Sequence, residues 1–203
     1  MGRNEEIVMR ARLKQVFQLF GLLAALPFFI LYRLSGKNNF FFVGIGQMLS
    51  LIPDKVGSFV RVGFYRMTLK RCPATAYIGF GSYFSKTETE VGEGVYISAH
   101  CLIGNVILKE HVGLSPGVQI LSGKHQHSIS EIGKPFLQQK GGGFQQIVIG
   151  ENSWIGQNAI VMANIGRQNM IGAGSVVVRD SGDYEVLGGN PAKVIKRLDV
   201  PIT

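Results

Sequence analysis

The feature that most constrains the fold of this chain is a six-residue period in its last two thirds. Aliphatic residues recur every sixth position at Val91, Ile97 and Ile103. The period slips by one residue at Leu108, is interrupted over 121–146 and then resumes. Its other members are Ile78, Leu114, Ile120, Ile149, Ile155, Val161, Ile165, Ile171 and Val177. A period of six fits neither the 3.6-residue repeat of a helix nor the two-residue alternation of a long strand.

This period predicts a mainly β solenoid of short strands that meet at tight corners. Each recurring aliphatic side chain would point into a narrow core, and Gly or Asn would take the turns. Three strands of six residues give one coil of about 18 residues, so about five coils fit between positions 74 and 187. The chain is two residues shorter than the period requires between Val161 and Ile165.

The composition excludes two other classes of protein. Of the 203 residues 46% are hydrophobic and 17% are charged, which excludes an intrinsically disordered chain. The 27 glycines follow no three-residue period, which excludes a collagen-like chain. The only two cysteines, Cys72 and Cys101, could form one disulfide at most, so a reduced cytosolic protein is the simplest interpretation.

The charge divides the chain into two parts. Residues 1–71 hold 11 Lys and Arg against three acids, which accounts for the whole formal net charge of +8, whereas 72–203 hold ten of each. We therefore predict an apolar and basic, helical, membrane-associating segment over 1–71. We predict the repeat domain over 72–203, with a long loop at 121–146.

Two apolar stretches, 16–32 and 40–53, carry the membrane prediction. Each is shorter than the roughly 20 residues that usually cross a bilayer, and Pro27 is expected to kink the first. Basic residues flank both, so we expect a helical hairpin at the cytoplasmic face of a bacterial inner membrane. Whether the hairpin spans, enters or lies on the membrane stays open. A cleaved signal peptide and a buried cap or oligomer contact are the alternatives.

A further helix is expected over 55–71, either at the membrane interface or as a cap under the repeat domain. Its apolar stripe comprises Val56, Phe59, Val60, Phe64 and Met67. Arg61 falls outside this stripe. A nucleic-acid partner is not expected, because the basic residues alternate with bulky aliphatic ones.

Three segments of the repeat region carry a family resemblance. They are IGENSWIGQNAIVM at 149–162, IGAGSVVVRD at 171–180 and GGNPAKVIKRL at 188–198. The pattern resembles the hexapeptide-repeat acetyltransferases, in particular the galactoside, maltose, serine and exopolysaccharide O-acetyltransferases. The resemblance covers roughly residues 75–198. It implies a left-handed parallel β-helix, use of acetyl-CoA, and a homotrimer with active sites between neighbouring subunits.

The interruption over 121–146 is the expected place for the chemistry, since long excursions from compact domains are usually functional or disordered. It carries His125 and His127, and imidazole suits the removal of a hydroxyl proton near neutral pH. By position the resemblance assigns the catalytic base to His125. His127 is the alternative base and a substrate-binding candidate, and a solvated position in the loop is the alternative for both histidines. It assigns Trp154 to the active-site groove, where a trimer contact is the alternative. Glu131 is interpreted as a solvated charge rather than a catalytic one.

The resemblance also implies a binding wall for coenzyme A. Small residues suited to the pantetheine arm are Ala159, Ala173, Gly174 and Ser175, and the Gly-Asn-Pro-Ala-Lys stretch adds Asn190. The phosphates would meet Arg179, Lys193, Lys196 and Arg197. A solvated basic face is the alternative for these cations.

The sequence therefore predicts an acetyl-CoA-dependent O-acetyltransferase for a sugar hydroxyl, in cell-surface polysaccharide or lipid-linked oligosaccharide biosynthesis. A transferase for a soluble sugar or nucleotide-sugar, with O- or N-acetylation, is the alternative. A zinc hydratase resembling γ-carbonic anhydrases is less favoured, because His100 and His111 lack the usual ligand spacing, and no metal is expected. A non-catalytic solenoid is also less favoured.

Overall fold

Three helices precede all of the strands in the computed structural model, which describes residues 3–124, 131–135, 138–139 and 141–199. The helices are α1 (Arg3–Leu34), α2 (Asn39–Ser50) and α3 (Asp54–Thr68). The strands are β1 (Tyr77–Ile78), β2 (Tyr83–Phe84), β3 (Glu90–Val91), β4 (Tyr96–Ile97), β5 (Leu102–Ile103), β6 (Val106–Leu108), β7 (Gly113–Leu114), β8 (Gln119–Ile120), β9 (Ile147–Ile149), β10 (Trp154–Ile155), β11 (Ile160–Val161), β12 (Met170–Ile171), β13 (Val176–Val177), β14 (Glu185–Gly188) and β15 (Lys193–Arg197).

The strands form three sheets whose pairs are parallel except for the last. The first sheet has the order β1-β4-β7-β10-β12-β14-β15, the second β13-β11-β8-β5-β2 and the third β3-β6-β9. From β1 to β11 the chain visits the three sheets in turn, and among the described strands only β14 and β15 pair antiparallel. We call residues 72–197 the three-sheet domain. The prediction of a mainly β fold behind an apolar N-terminal helix is confirmed, here with parallel sheets.

The six-residue period identifies the core. In the first sheet Ile78, Ile97 and Leu114 are paired in register, and all three are fully buried. Ile155 and its partner Ile171 are 16 residues apart, two fewer than the roughly 18 of a regular coil, which reflects the two-residue shortening seen in the sequence. The other aliphatic residues of the six-residue period are also buried.

Left-handed backbone conformations make the corners between the sheets. Glycine takes this conformation at Gly81, Gly94, Gly117 and Gly174, and asparagine does so at Asn152 and Asn158. Histidine also occupies such corners, at His100 and His111, and both are exposed. These two histidines are therefore exposed corner residues.

Helix α3 closes the first layer of strands. A strand at the end of a stack leaves N–H and C=O groups without a neighbouring strand. Here the hydroxyl of Ser58 accepts from Ile78 N (3.0 Å), the guanidinium of Arg61 donates to Ile78 O (2.9 Å), and the hydroxyl of Tyr65 accepts from Phe84 N (3.3 Å). Side chains on one face of α3 thus replace the missing strand, as expected for a cap.

Arg61 is the centre of this junction, although it falls outside the apolar stripe recognised in the sequence. Its side chain is completely buried. Besides Ile78 O, it donates to the carbonyl oxygens of Leu49 (3.1 Å), Ser50 (3.3 Å) and Ile52 (2.7 Å), at and just after the C-terminal end of α2. Burial lowers the pKa of Arg61 to about 10, so the group still carries its charge at neutral pH.

Helix α1 packs along α3 in a parallel direction. The ring of Phe17 stacks on Phe59 at 5.5 Å, and Gly21 lies against the backbone of Phe59 and Gly63 so closely that neither glycine could carry a side chain. Gln18 Nε2 donates to Ala74 O (2.8 Å), which ties α1 to the start of the three-sheet domain. Gly21 and Gly63 are therefore what allows this close packing.

The first apolar stretch is the second part of one long helix rather than a short separate leg. Helix α1 continues from Arg3 through Pro27 to Leu34. Within the described residues, one segment, Arg12–Leu34, is long and apolar enough to cross a membrane by length and composition. Of its most apolar window, 17% is buried inside the protein. Both cysteines are buried and unpaired, in agreement with the reduced state expected.

Replacing Arg61 should destabilise the protein strongly. Arg61→Met would leave several buried carbonyl oxygens without donors, and each buried polar group left unsatisfied costs about 1–3 kcal/mol in unfolding free energy. Arg61→Lys should lose less, because an ammonium retains the charge but not the planar set of donors. Denaturation in mild detergent, followed by circular dichroism, measures the difference.

Arg66→Met is the matched control for this prediction. Arg66 is exposed on the same helix, so its replacement should change the unfolding free energy by no more than about 0.5 kcal/mol. Equal stabilities for Arg61→Met and Arg66→Met would contradict the assigned role of Arg61.

Candidate active site

A groove opens where the long excursion leaves the second sheet. It lies at the corner that follows β8, β11 and β13, and its volume is about 350 Å³. Its lining comprises Lys124, Gln145, Met162, Ala163, Val178, Arg179 and Asp180. This groove therefore brings together residues from the beginning of the excursion, from its end and from two later corners.

The two ends of the excursion are fastened to each other and to earlier layers. Gln145 N donates to Ser122 O (2.9 Å), and Ser122 Oγ accepts from Asn105 N (2.8 Å). The amide of Gln146 donates to Asn105 Oδ1 (2.9 Å) and to Glu88 O (3.0 Å). These bonds fix where residues 122–124 and 145–146 stand, so the groove is held in place even though the excursion between them is long.

Asp180 is the one acid of the groove lining, and its carboxylate is already engaged. Its Oδ1 accepts from Asn164 N (2.9 Å) and its Oδ2 from Asn164 Nδ2 (3.0 Å). The other amide atom of Asn164, Oδ1, accepts from Val148 N (2.8 Å). The carboxylate thus holds a corner of the backbone in place rather than facing the cations across the groove.

Two cations dominate the electrostatics of the groove. Lys124 and Arg179 are both exposed, and neither makes an ion pair with any residue that the structure describes. A lysine and an arginine beside each other attract phosphate groups, and a guanidinium can bind one through two parallel hydrogen bonds. The groove is therefore suited to an anionic ligand.

The predicted histidines cannot be placed against this groove. His125 and His127 lie outside the described residues, and Lys124, on the groove, is the residue directly before His125. Within the loop, Glu131 pairs with Lys134 (3.1 Å), and both side chains are exposed. This pair agrees with the interpretation of Glu131 as a solvated charge.

Trp154 lies on a different face from the groove. It stands on β10 in the first sheet, points outwards and is 47% exposed. Its indole ring covers Gly113 on the neighbouring strand, where a side chain would overlap the ring. Next in the same outward row, Tyr96 and Tyr77 stack at 4.8 Å. Within one chain the structure does not bring Trp154 and Arg179 together.

The predicted wall for the pantetheine arm is partly assembled. Ala173 and Gly174 form an exposed corner with open space around Gly174. Ser175 is buried behind them, and its Oγ accepts from Gly189 N (3.2 Å), so the turn that carries Asn190 lies against this corner. Ala159 also belongs to the predicted wall, but its side chain is fully buried and could offer a ligand only its backbone.

The remaining predicted cations lie on the terminal hairpin of β14 and β15. Arg197 Nε pairs with Glu185 Oε1 (3.3 Å), whose side chain is buried, so this arginine helps to hold the hairpin. Lys193 and Lys196 are exposed on β15. The structure therefore places only Arg179, of all the predicted phosphate-binding residues, in the groove.

Sequence reasoning missed Lys124 and Gln145 as groove residues. The signal for Lys124 was its place immediately before the predicted base, at the first residues of the excursion. Gln145 gave no comparable signal, because its position depends on the bond to Ser122 across the excursion. Among the described residues no cluster of three His, Cys, Asp or Glu side chains could hold a metal ion.

The contact between Trp154 and Gly113 can be tested with Gly113→Ala. The new methyl group would displace the indole ring, so the emission maximum should shift to longer wavelength and quenching by acrylamide should rise. Trp154 is the only tryptophan, so the whole signal belongs to it. Gly44→Ala in α2, where a side chain meets open space, is the control and should leave both readings unchanged. An unaltered spectrum for Gly113→Ala would contradict the contact.

Comparison with known proteins relates this architecture to acetyltransferases. No family model matches the chain. It is 29% identical over 126 residues to the galactoside O-acetyltransferase of Lactococcus lactis, covering 59% of this chain and 58% of that protein. The chain spans a little over half the length of the curated relatives it matches.

Solved structures share the fold over a larger part of the chain. A maltose O-acetyltransferase from Clostridium difficile superposes with a TM-score of 0.66 at 23% identity, over 78% of this chain and 87% of that one. A galactoside acetyltransferase in complex with coenzyme A superposes with a TM-score of 0.62 at 21% identity, over 77% and 80%. The resemblance inferred from the motifs is confirmed: in sequence and in fold this chain is similar to the hexapeptide-repeat acetyltransferases.

Proposed function

We propose that the protein is an acetyl-CoA-dependent O-acetyltransferase that modifies a sugar hydroxyl. The observation that carries this proposal is the basic groove at the start of the excursion. Its lining includes Lys124, the residue directly before His125. The likeness to galactoside and maltose O-acetyltransferases supports the reaction class and the kind of acceptor. The proposed fold is a left-handed parallel β-helix solenoid. The strands from β1 to β11, which belong to the three sheets in turn, support it.

The reaction would transfer the acetyl group from sulfur to oxygen. The acceptor hydroxyl oxygen attacks the thioester carbonyl carbon while His125 takes the hydroxyl proton. Backbone N–H groups stabilise the oxyanion that develops on the carbonyl oxygen. The carbon–sulfur bond then breaks, the proton passes from His125 to the thiolate, and free coenzyme A and an acetyl ester are released. His127 would contact the acceptor.

The described residues fit coenzyme A at two places. Lys124 and Arg179 offer the groove a positive charge for phosphate groups, and Gln145 offers an amide between them. Ala173 and Gly174 offer an open corner without bulky side chains, against which the Asn190 turn lies. The galactoside acetyltransferase that shares this fold was solved with coenzyme A, which supports this co-substrate.

A homotrimer would complete the site. In one chain Trp154 lies on the outer face of the first sheet, whereas the groove follows the second sheet. In a ring of three subunits, the first sheet of one chain would face the groove of the next, and Trp154 could then line the acceptor site. The exposed row of Tyr96, Trp154 and Met170 supports a contact at this face.

The acceptor would be a lipid-linked sugar at the cytoplasmic face of the bacterial inner membrane, in the synthesis of a cell-surface polysaccharide. The exposed apolar residues of α1 and α2 support membrane association. An enzyme on that face would have both cytosolic acetyl-CoA and a membrane-held acceptor within reach. A soluble sugar or nucleotide-sugar remains the alternative acceptor.

His125→Ala tests the proposed base. Loss of a general base typically lowers the rate by about 10²–10⁴. We expect kcat with acetyl-CoA and a sugar acceptor to fall by that factor while acetyl-CoA binding is retained. His127→Ala should mainly raise KM for the acceptor. Normal turnover by His125→Ala would contradict the assignment.

The product distinguishes the acceptor atom in the same assay. Mass spectrometry of the acceptor should show the mass of one added acetyl group, and mild alkali should remove it because an ester is labile and an amide is not. A stable acetyl group would replace the O-acetyltransferase with an N-acetyltransferase. The absence of any transfer to sugars by well-folded protein would oppose the proposal.

Arg179→Ala tests the phosphate site. Because the guanidinium would bind the co-substrate away from the reacting carbonyl, KM for acetyl-CoA should rise about tenfold or more with kcat little changed. Arg167→Ala is the control, since Arg167 is half exposed and pairs with Asp183 (3.1 Å) at another corner. Equal KM values for the two variants would contradict the assignment of Arg179 to the phosphate site.

A further inference from the structure

The outer faces of α1 and α2 form one apolar surface. On α1 the exposed residues Val16, Phe20, Leu23 and Ile30 follow a spacing of three, four and seven positions, and Gly21, Ala25 and Tyr32 are buried on the opposite side. On α2 the exposed residues include Phe40 (80% exposed) and Met48, and Leu51 (67%) follows directly after the helix. Leu31 lines a shallow groove together with Phe40, Phe41 and Met48, so the two faces are continuous.

The charge around this surface indicates its partner. Arg12, Lys14, Arg33 and Lys37 are exposed at its two ends, and no acidic residue occurs between positions 7 and 53. Because the surface is basic at both ends, a second copy of the chain docking through it about a two-fold axis would bring like charges together, which is unfavourable. Anionic phospholipid headgroups above an acyl layer match both the charge and the apolar face.

The packing of α1 sets its direction relative to the membrane. Helix α1 is bound along α3 by Phe17, Gly21 and Gln18, and α3 is bound to the three-sheet domain through Arg61. If α1 crossed the bilayer, α3 would run beside it. Because Phe17 lies against Phe59 and Gly21 against Gly63, the exposed Arg66 is level with Ala24 of α1, and its guanidinium would then enter the hydrocarbon.

We propose that α1 and α2 lie in the plane of one membrane leaflet, with the apolar surface on the acyl chains and the basic residues on anionic headgroups, and that α1 does not cross. This inference rests on the membrane association proposed above and is independent of the acetyl transfer. An amphipathic arrangement of this kind binds through buried apolar area and electrostatic attraction together.

A cleft between α1, α3 and the three-sheet domain gives one headgroup a defined place. Its volume is about 150 Å³, and it is lined by Lys14, Lys55, Ser58, Thr75 and Tyr77. Neither lysine pairs with an acid in the described part of the chain. The cleft is smaller than the roughly 300–1,000 Å³ of most ligand sites, so it suits the phosphate of a lipid and not a whole ligand.

Single cysteines test the in-plane arrangement. The full-length protein is added to preformed phosphatidylcholine–phosphatidylglycerol vesicles and treated with a membrane-impermeant maleimide. Asn39→Cys, just after the turn between α1 and α2, should react as fully as Lys109→Cys in the three-sheet domain. Leu23→Cys, on the apolar surface, should react only after detergent is added. The unaltered chain gives the baseline, because its two cysteines are buried.

The other labelling pattern would overturn the proposal. If Asn39→Cys reacts only after the vesicles are lysed while Lys109→Cys reacts at once, the turn lies within or beyond the bilayer. If the protein does not float with the vesicles at all, membrane association fails as well. Acetyl transfer measured in detergent on the same preparation shows separately whether the enzyme proposal stands.

Charge reversal tests the cleft. Lys14→Glu/Lys55→Glu should lower flotation with anionic vesicles at least tenfold, whereas Lys109→Glu/Lys196→Glu, which makes the same change of charge elsewhere, should not. Inorganic phosphate should displace the protein no better than chloride at equal ionic strength, because the cleft holds a headgroup that remains attached to the membrane. Equal flotation of the two double variants, or release by phosphate alone, would overturn the headgroup site.

Discussion

The structure depends on satisfying the backbone of its first layer of strands. Short parallel strands stabilise one another only through their neighbours, so the end of the stack needs a partner that is not a strand. Ser58, Arg61 and Tyr65 lie on one face of α3 and meet the exposed N–H and C=O groups of β1 and β2. Arg61 does this with a buried charge that faces carbonyl oxygens and no carboxylate among its hydrogen-bond partners.

The same contacts join the helical layer to the three-sheet domain. Arg61 also binds the carbonyl groups at the end of α2. The guanidinium therefore positions both α2 and β1. The close approach at Gly21 and Gly63 then fixes the position of α1 against α3. The apolar surface and the groove therefore stand in a fixed relation, which is what an enzyme with a membrane-held acceptor would need.

The sequence could predict the core because the six-residue period is local. Ile97, Ile103 and Leu114 are buried where the period places them. It could not predict Arg61, because an apolar stripe identifies only the side of a helix that meets apolar residues. The partners of Arg61 are backbone carbonyls 7 to 17 positions away. Hydropathy likewise marked only the apolar part of α1, whereas the helix begins in the charged residues before it.

The period also predicts which residues point outwards but not which of three faces they share. Trp154 and Arg179 both point outwards, and the motifs placed them in one site. Within a chain they lie on different faces, because Trp154 is on a strand of the first sheet and Arg179 follows a strand of the second. To assign an outward residue to one of the faces, one must count how far the slip at Leu108 and the excursion shift the later repeats against the earlier ones. Only backbone bonds such as Gln145 N to Ser122 O fix that count.

The distribution of ion pairs explains how residues 72–203, whose formal net charge is zero, can still form a basic groove. At the corner before the first sheet, Arg71 pairs with Glu110 and Arg167 with Asp183, and on the third sheet Lys70 pairs with Glu90. Acids neutralise the cations there. At the corner after the second sheet, the one acid of the groove accepts hydrogen bonds from the backbone and side chain of Asn164 instead. The two cations of that groove thus stay available, and a charge count over the sequence cannot reveal this segregation.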